Sequence, residues 1–136
     1  MSKFFVFDTN SLISAALTKN STNRKALNKA LGLGDIVIAN NTLDELIEVI
    51  FREKFDKYFL NENERWTVIN ELEINAILFA PEISITECRG PKDNKFLELA
   101  IAANASCIIS GDLDLLILHP FRGIPILNAA DFINNF

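Results

Sequence analysis

The sequence predicts an α/β fold, in which a parallel sheet is covered by helices on both sides. Two continuous apolar runs, at residues 4–7 and 107–109, have the composition of strands that are buried on both faces. Each run ends in polar turn residues, and a segment with helical signals follows each turn. Strands and helices that alternate along a chain in this way are typical of parallel sheets flanked by helices.

The remaining elements follow in order, with no linker, repeat or low-complexity segment between them. Helix caps and apolar periodicity predict helices at 11–17, 22–32, 42–54, 62–79, 93–103, 112–118 and from 129 onward. Short apolar runs predict further strands at 35–39, 83–85 and 124–127, and the run at 107–109 is expected to form a strand over 106–110. Residues 55–60 are expected to form a loop. Pro81 ends the fourth helix, and Pro125 favours an edge position for the last strand.

Bulk composition indicates one folded domain over residues 1–136. The chain is 49% hydrophobic and 23% charged, which is typical of a globular protein. No apolar run approaches the roughly 20 residues that span a bilayer, and Met-Ser-Lys leads directly into the first strand. We therefore expect no membrane association and a cytoplasmic location.

The net charge of −5 argues against a general nucleic-acid coat protein, which would be strongly basic. It does not exclude nucleic-acid chemistry, because a cluster of metal-binding acids itself contributes negative charge. His119 is the only histidine, and the two cysteines lack metal-ligand spacing. These counts argue against histidine-dependent nucleophilic catalysis and against zinc sites. An enzyme with this composition would work with carboxylates.

Acidic residues follow both of the first-mentioned apolar runs. Asp8 follows the first run, and Asp112 and Asp114 follow the second. Ligands of parallel sheets bind outside the carboxyl ends of the strands, so acids from two strand ends indicate a cation site. The alternative is structural, because all three residues are also suited to capping the next helix.

Two further acids are expected at the same edge of the sheet. Glu45 lies in the first turn of a helix that follows the second strand, but Thr42 and Glu45 also match a capping box, which residue types alone favour. Asp93 opens another helix, where an acid stabilises the helix dipole. Arg89, Lys92 and Lys95 surround Asp93 and suit the approach of a phosphate, although solvated helix-end charges explain them equally well.

Four segments together resemble the PIN-domain nucleases, in particular the VapC-like toxins of bacterial and archaeal toxin–antitoxin pairs. The likeness extends over essentially the whole chain, in the same order and at the same length. It is carried by residues 5–10 (Phe-Val-Phe-Asp-Thr-Asn), 42–46 (Thr-Leu-Asp-Glu-Leu), 91–100 and 108–116.

The resemblance implies a three-layer α/β/α sandwich with a parallel sheet of about five strands. It implies a cytoplasmic endoribonuclease that uses one or two Mg²⁺ or Mn²⁺ ions to hydrolyse RNA phosphodiester bonds. A cognate antitoxin and a second copy of the chain are the protein partners that it implies. The implied catalytic and metal-binding acids are Asp8, Glu45, Asp93 and Asp112, with Asp114 as a further metal ligand; Asn10 and Ser110 are supporting polar residues, and Arg89, Lys92 and Lys95 bind RNA.

Relatives often carry further aspartates where this chain has Gly90 and Asn94, which leaves the number of metal ions open. One alternative is a haloacid-dehalogenase-like phosphatase, which shares the strand ending in aspartate and a late Gly-Asp pair, here Gly111-Asp112. Those enzymes normally have a second acid two residues after the first, where this chain has Asn10. The other alternative is a degenerate PIN-like scaffold that binds RNA or protein without cleavage.

Overall fold

The computed structural model describes residues 3–136, in which strands and helices alternate along the chain. The expectation that Met-Ser-Lys leads directly into the first strand involves Met1 and Ser2, which lie outside these residues. The strands are β1 (Lys3–Phe7), β2 (Gly34–Ile38), β3 (Ala76–Leu78), β4 (Cys107–Ile109) and β5 (Ile126–Leu127). The helices are α1 (Thr9–Leu17), α2 (Thr22–Leu33), α3 (Asn40–Ile50), α4 (Glu62–Ile74), α5 (Asn94–Ala103), α6 (Leu113–Leu116) and α7 (Ala129–Asn135). Two 3-10 helices cover Glu53–Tyr58 and Pro91–Asp93.

The five strands form one parallel sheet in the order β3-β2-β1-β4-β5. Strand β1 is central, and its Phe5 lies beside Ile36 of β2 and Cys107 of β4. Because all strands run in the same direction, their carboxyl ends share one edge of the sheet. The predicted parallel sheet is therefore confirmed, and β5 lies at the sheet edge as its neighbouring proline predicted.

Helices cover both faces of the sheet and bury a separate apolar core on each. On one face, Phe5 and Phe7 pack against α1, α2 and α7. On the other face, Val6 and Ile108 pack mainly against α5, whose buried residues include Phe96 and Leu97. The alternation of neighbouring β1 residues between the two cores follows from the period of two in a strand. The three-layer α/β/α fold is confirmed.

A third apolar cluster joins α1, α3 and α4 beside the sheet, with Ile13, Ile50 and Ile69 at its centre. Buried Arg65 closes this cluster: its guanidinium donates to the Ile50 carbonyl and pairs with Asp56. These contacts hold the 3-10 helix Glu53–Tyr58, where the sequence predicted a loop.

The region 62–85 differs from the prediction. The helix predicted over 62–79 ends at Ile74, and the residues after it form β3, which pairs with β2. The strand predicted at 83–85 is absent, and buried Ile85 instead donates its N–H to Glu98 Oε2 within a loop. The apolar run Ala76–Leu78 fits a helix or a strand equally well, so only the exposed edge of β2 selects the strand.

Helix α3 also differs from the prediction at both ends. It begins at Asn40 rather than at residue 42, and it ends at Ile50 rather than near residue 54. Thr42 is therefore the third helical residue, and its hydroxyl bonds to the backbone of Ala39. The predicted capping box between Thr42 and Glu45 is wrong, which frees the Glu45 side chain for other contacts.

Across residues 3–136, none of the helices combines the length and the apolar character needed to cross a lipid bilayer.

Candidate active site

The ends of the two central strands are joined by one serine hydroxyl. Ser110 Oγ donates to Asp8 Oδ2 at 2.5 Å and accepts from the Asp112 N–H at 2.9 Å. Ser110 is fully buried, and the backbone N–H of Asp8 bonds to the Ile109 carbonyl at 3.1 Å. The structure therefore brings Asp8, Ser110 and Asp112 together at the carboxyl edge of the sheet, where the sequence places them.

Asp8 and Asp112 each cap a helix and also face the site. Asp8 Oδ1 accepts from the Ser11 N–H at 2.8 Å and caps α1, while its Oδ2 takes the bond from Ser110. Asp112 Oδ1 accepts from the Asp114 N–H at 2.9 Å and caps α6. The structural interpretation of these two acids is thus correct, and it does not compete with a role in the site.

Asp93 has no such capping role. It is 6% exposed and ends the 3-10 helix Pro91–Asp93, yet its side chain makes no cap hydrogen bond to α5. Among residues 3–136, no hydrogen-bond donor reaches its buried Oδ2 atom. A buried carboxylate oxygen without a donor is costly, and such an atom calls for a proton or a cation.

Asp112 and Asp114 lie beside Asp93. Each of the three carboxylates offers an oxygen, and these oxygens lie within 4.8 Å of one another. Asp114 Oδ1 also pairs with Arg89, one of the predicted RNA-binding cations. The three acids therefore form a compact cluster, which we call the aspartate cluster.

The two departures from the family pattern have structural roles next to this cluster. A Cβ atom at Gly90 would lie 2.9 Å from Asp114 Oδ2 and 3.4 Å from Asp93 Oδ2, so glycine lets the backbone pass beside the acids. Asn94 Oδ1 accepts from the Cys88 N–H at 2.9 Å and holds the preceding loop against α5. An acid at either position would alter these contacts.

Glu45 lies in the same groove, but other residues occupy its carboxylate. Glu45 Oε1 accepts from Thr9 Oγ1 at 2.5 Å, and Oε2 lies 2.6 Å from Lys95 Nζ. Lys95 is 15% exposed and also donates to the Lys92 carbonyl. Buried Thr9 is a site residue that the sequence analysis missed, although its position directly after Asp8 was a usable signal.

Four of the five predicted acids line a groove of about 260 Å³ at the carboxyl edge of the sheet, which we call the acidic groove. Asn10 and Lys92 also line it, whereas Arg89 and Lys95 lie in ion pairs with Asp114 and Glu45. Asp114 adjoins the groove through the aspartate cluster. The predicted acids lining the groove are Asp8, Glu45, Asp93 and Asp112.

The crowding of carboxylates changes their acidity. Burial raises the pKa of Asp93 to about 7, and a hydrogen bond and charge repulsion from Asp112 add to the rise. The same hydrogen bond, donated by protonated Asp93, lowers the pKa of Asp112. Opposite shifts of this kind are expected for neighbouring carboxylates that no cation neutralises.

The donor set fits Mg²⁺ or Mn²⁺. Every donor in the aspartate cluster is a carboxylate oxygen, which is the ligand type that these hard cations prefer. The unsatisfied Asp93 Oδ2 atom supplies the structural reason for an ion at this point. A divalent cation would satisfy that oxygen and neutralise part of the negative charge of the three acids.

The raised pKa of Asp93 predicts a pH-dependent stability of the metal-free protein. Because the folded state holds the Asp93 proton up to pH about 7, folding stability from this group falls as the pH rises toward 7. Asp93→Asn removes the cost of ionising this buried carboxyl and should stabilise the chelator-treated protein at pH 8 by about 1–3 kcal/mol. The lowered pKa of Asp112 offsets part of the effect of the raised pKa of Asp93, which keeps the expected gain within this range. Denaturant unfolding at pH 5 and pH 8 measures the effect. The control is Asp44→Asn, which changes an exposed acid. Equal stability of Asp93→Asn and the unmodified chain at pH 8 would contradict the prediction.

Comparisons with known proteins agree with the fold. Residues 5–114 match the model of the PIN domain family. The chain is 31% identical over 118 residues to the uncharacterized protein MJ1680 of Methanocaldococcus jannaschii, which covers 84% of this chain and 74% of that protein. The fold is similar to that of a chain in the crystal structure of VapBC2 from Rickettsia felis bound to a DNA fragment from their promoter. The TM-score is 0.65 and the sequence identity is 14%, and the match covers 92% of this chain and 98% of that chain. The chain therefore belongs to the PIN domain family.

Proposed function

We propose that the protein is a metal-dependent endoribonuclease that hydrolyses RNA phosphodiester bonds with Mg²⁺ or Mn²⁺. Membership of the PIN domain family supports a nuclease. The observation that carries the proposal is the buried Asp93 Oδ2 atom, which lacks a donor and belongs to a residue clustered with two further carboxylates. Such a cluster weakens the apo protein and makes chemical sense as a cation site.

The residues that would hold the ion are Asp93, Asp112 and Asp114, with Asp8 next to them and Glu45 across the groove. When bound, a divalent cation lowers the pKa of water and neutralises charge on the phosphate and the leaving oxygen. Ser110 positions Asp8 through the hydrogen bond to Oδ2. Thr9 and Lys95 hold the Glu45 carboxylate, and Lys95 also offsets its charge. With no histidine in the groove, a carboxylate is the proton acceptor that this chain offers.

Activity should depend on the metal and on Asp93. With Mg²⁺ or Mn²⁺ the protein should cleave single-stranded or structured RNA, and chelator should abolish cleavage. Asp93→Asn should lower the cleavage rate by at least about a hundredfold, because it removes one charged donor from the cation site. Gel analysis of RNA fragments measures cleavage, and calorimetry with Mn²⁺ measures ion binding independently.

Asp44→Asn serves as the control, because this exposed acid of α3 lies outside the groove lining. Cleavage that survives both chelator and Asp93→Asn would refute the mechanism. Turnover of p-nitrophenyl phosphate with intact RNA would favour the phosphatase, and metal-independent RNA binding without cleavage would favour the scaffold.

We assign Lys92 the main phosphate contact in the groove, with Arg89 and Lys95 as further RNA-binding residues. Lys92 is exposed and lines the groove, and within residues 3–136 it is in no ion pair. Arg89 and Lys95 are already paired with Asp114 and Glu45, so their charges first stabilise those carboxylates. Phosphate contacts place the backbone and carry no sequence information.

Removal of the Lys92 charge should weaken RNA binding uniformly across sequences. Lys92→Ala should raise KM several-fold, leave kcat nearly unchanged, and reduce the slope of log affinity against log salt by about one. Lys19→Ala, which removes an exposed cation of a loop, is the matched control. If the slope of log affinity against log salt is unchanged in Lys92→Ala, Lys92 does not contact the RNA backbone.

The proposal includes a role as the toxin of a toxin–antitoxin pair, with a cognate antitoxin and a second copy of the chain as partners. The VapC-like motifs and the fold shared with a VapBC2 chain support it. Expression of the chain should arrest growth, and the product of the neighbouring reading frame should relieve the arrest and copurify with it. Light scattering of the purified chain tests the homodimer. Normal growth at high expression, with no copurifying product, would contradict the toxin role.

A further inference from the structure

A second hollow adjoins the acidic groove, on the other side of Asp8 and Asp112. It has a volume of about 620 Å³ and is larger than the acidic groove. Side chains of α1, α2 and the start of α7 line it, and those with amide groups are Asn10, Asn23 and Asn128. We call it the asparagine hollow.

Apart from the two acids that it shares with the acidic groove, uncharged residues line the asparagine hollow. Among the described residues, neither lysine nor arginine lines the asparagine hollow, and its two charged residues are the shared acids Asp8 and Asp112. A phosphate would find no cation there and would be repelled by the acids. A neutral, polar ligand that lies next to a phosphate held in the acidic groove fits this charge pattern.

The amides of the hollow are available to a ligand. Asn128 Oδ1 accepts from the Asp131 N–H at 2.8 Å and caps α7, so its NH₂ group remains a donor of two hydrogen bonds. Half-buried Asn23 makes no side-chain hydrogen bond within residues 3–136, and it offers both a donor and an acceptor. Paired donors and acceptors of this kind match the edges of nucleobases.

We propose that the asparagine hollow binds the base of the nucleotide next to the cleaved bond, and that Asn23 and Asn128 set the nucleotide preference. The inference rests on the proposed ribonuclease function. Asp8 and Asp112 border both spaces, so a strand that places its phosphate at the aspartate cluster has its neighbouring base within reach of the hollow. Lys92 then holds the backbone, and the two asparagines read the base.

The test compares cleavage of short single-stranded RNAs in which the nucleotide on each side of the cleaved bond is varied. Asn23→Ala and Asn128→Ser should reduce the kcat/KM ratio between the best and the worst nucleotide by about tenfold, at one of the two positions. Serine at 128 keeps an oxygen for the helix cap and removes the amide donors. Asn28→Ala is the matched control, because Asn28 lies on the same helix but lines a different hollow.

A second readout separates base recognition from a structural role. In the weakly cleaving Asp93→Asn protein, the side-chain amide NMR signals of Asn23 and Asn128 should shift on addition of the preferred RNA and stay unchanged with inorganic phosphate. Unchanged signals, or a nucleotide preference that survives both substitutions, would overturn the inference while leaving the ribonuclease proposal intact. Loss of binding to the neighbouring gene product with an unchanged preference would make the hollow a protein-docking site and overturn base recognition. An unmodified protein that cleaves no RNA with any divalent metal would overturn both proposals.

Discussion

The hydrogen bond from Ser110 to Asp8 is the contact on which the arrangement of the site depends. Strands β1 and β4 are adjacent and parallel, so Asp8 and Ser110 leave the sheet side by side. The same hydroxyl accepts from the Asp112 backbone, and one buried oxygen thus links the turns after both strands. Because this hydroxyl is fully buried, its hydrogen bond to Asp8 is shielded from water.

This arrangement places like charges close together, and the structure offsets that repulsion in different ways at different acids. Asp8 and Asp112 take part of their compensation from helix-cap hydrogen bonds. Glu45 takes it from Lys95 and Thr9. Asp93 has no comparable partner, and its pKa is therefore raised by burial and by Asp112. Asp93, the acid with the fewest stabilising contacts, is therefore the strongest indication of the proposed cation site.

The two hollows on either side of Asp8 and Asp112 divide the surface by chemistry. The acidic groove combines carboxylates with Lys92 and suits a cation together with a phosphate. The asparagine hollow offers amides and hydroxyls and suits uncharged polar groups. A nucleotide has both kinds of group, joined by a ribose. The acidic groove, proposed for catalysis, therefore lies next to the asparagine hollow, whose amides are proposed to discriminate between bases.

Local residue patterns predict the α/β class, the strand ends that carry acids, and the grouping of Asp8, Asp93 and Asp112. These predictions rest on local signals, because a buried strand has a continuous apolar sequence and a polar turn marks its end. The sequence misplaced β3, because the apolar residues 76–78 suit a helix or a strand equally. It also assigned Glu45 to a capping box, because Thr42 and Glu45 have the required spacing.

These two points, and the choice of charge partners, depend on contacts between distant parts of the chain. The open edge of β2 makes residues 76–78 a strand, and the approach of α1 and α5 to α3 gives Glu45 its bonds to Thr9 and Lys95. Asn23 and Asn128 are 105 positions apart in the numbering, and the packing of α7 on α2 brings them to one hollow. Contacts between distant segments depend on how helices pack against the sheet, and no local pattern of residues encodes that packing.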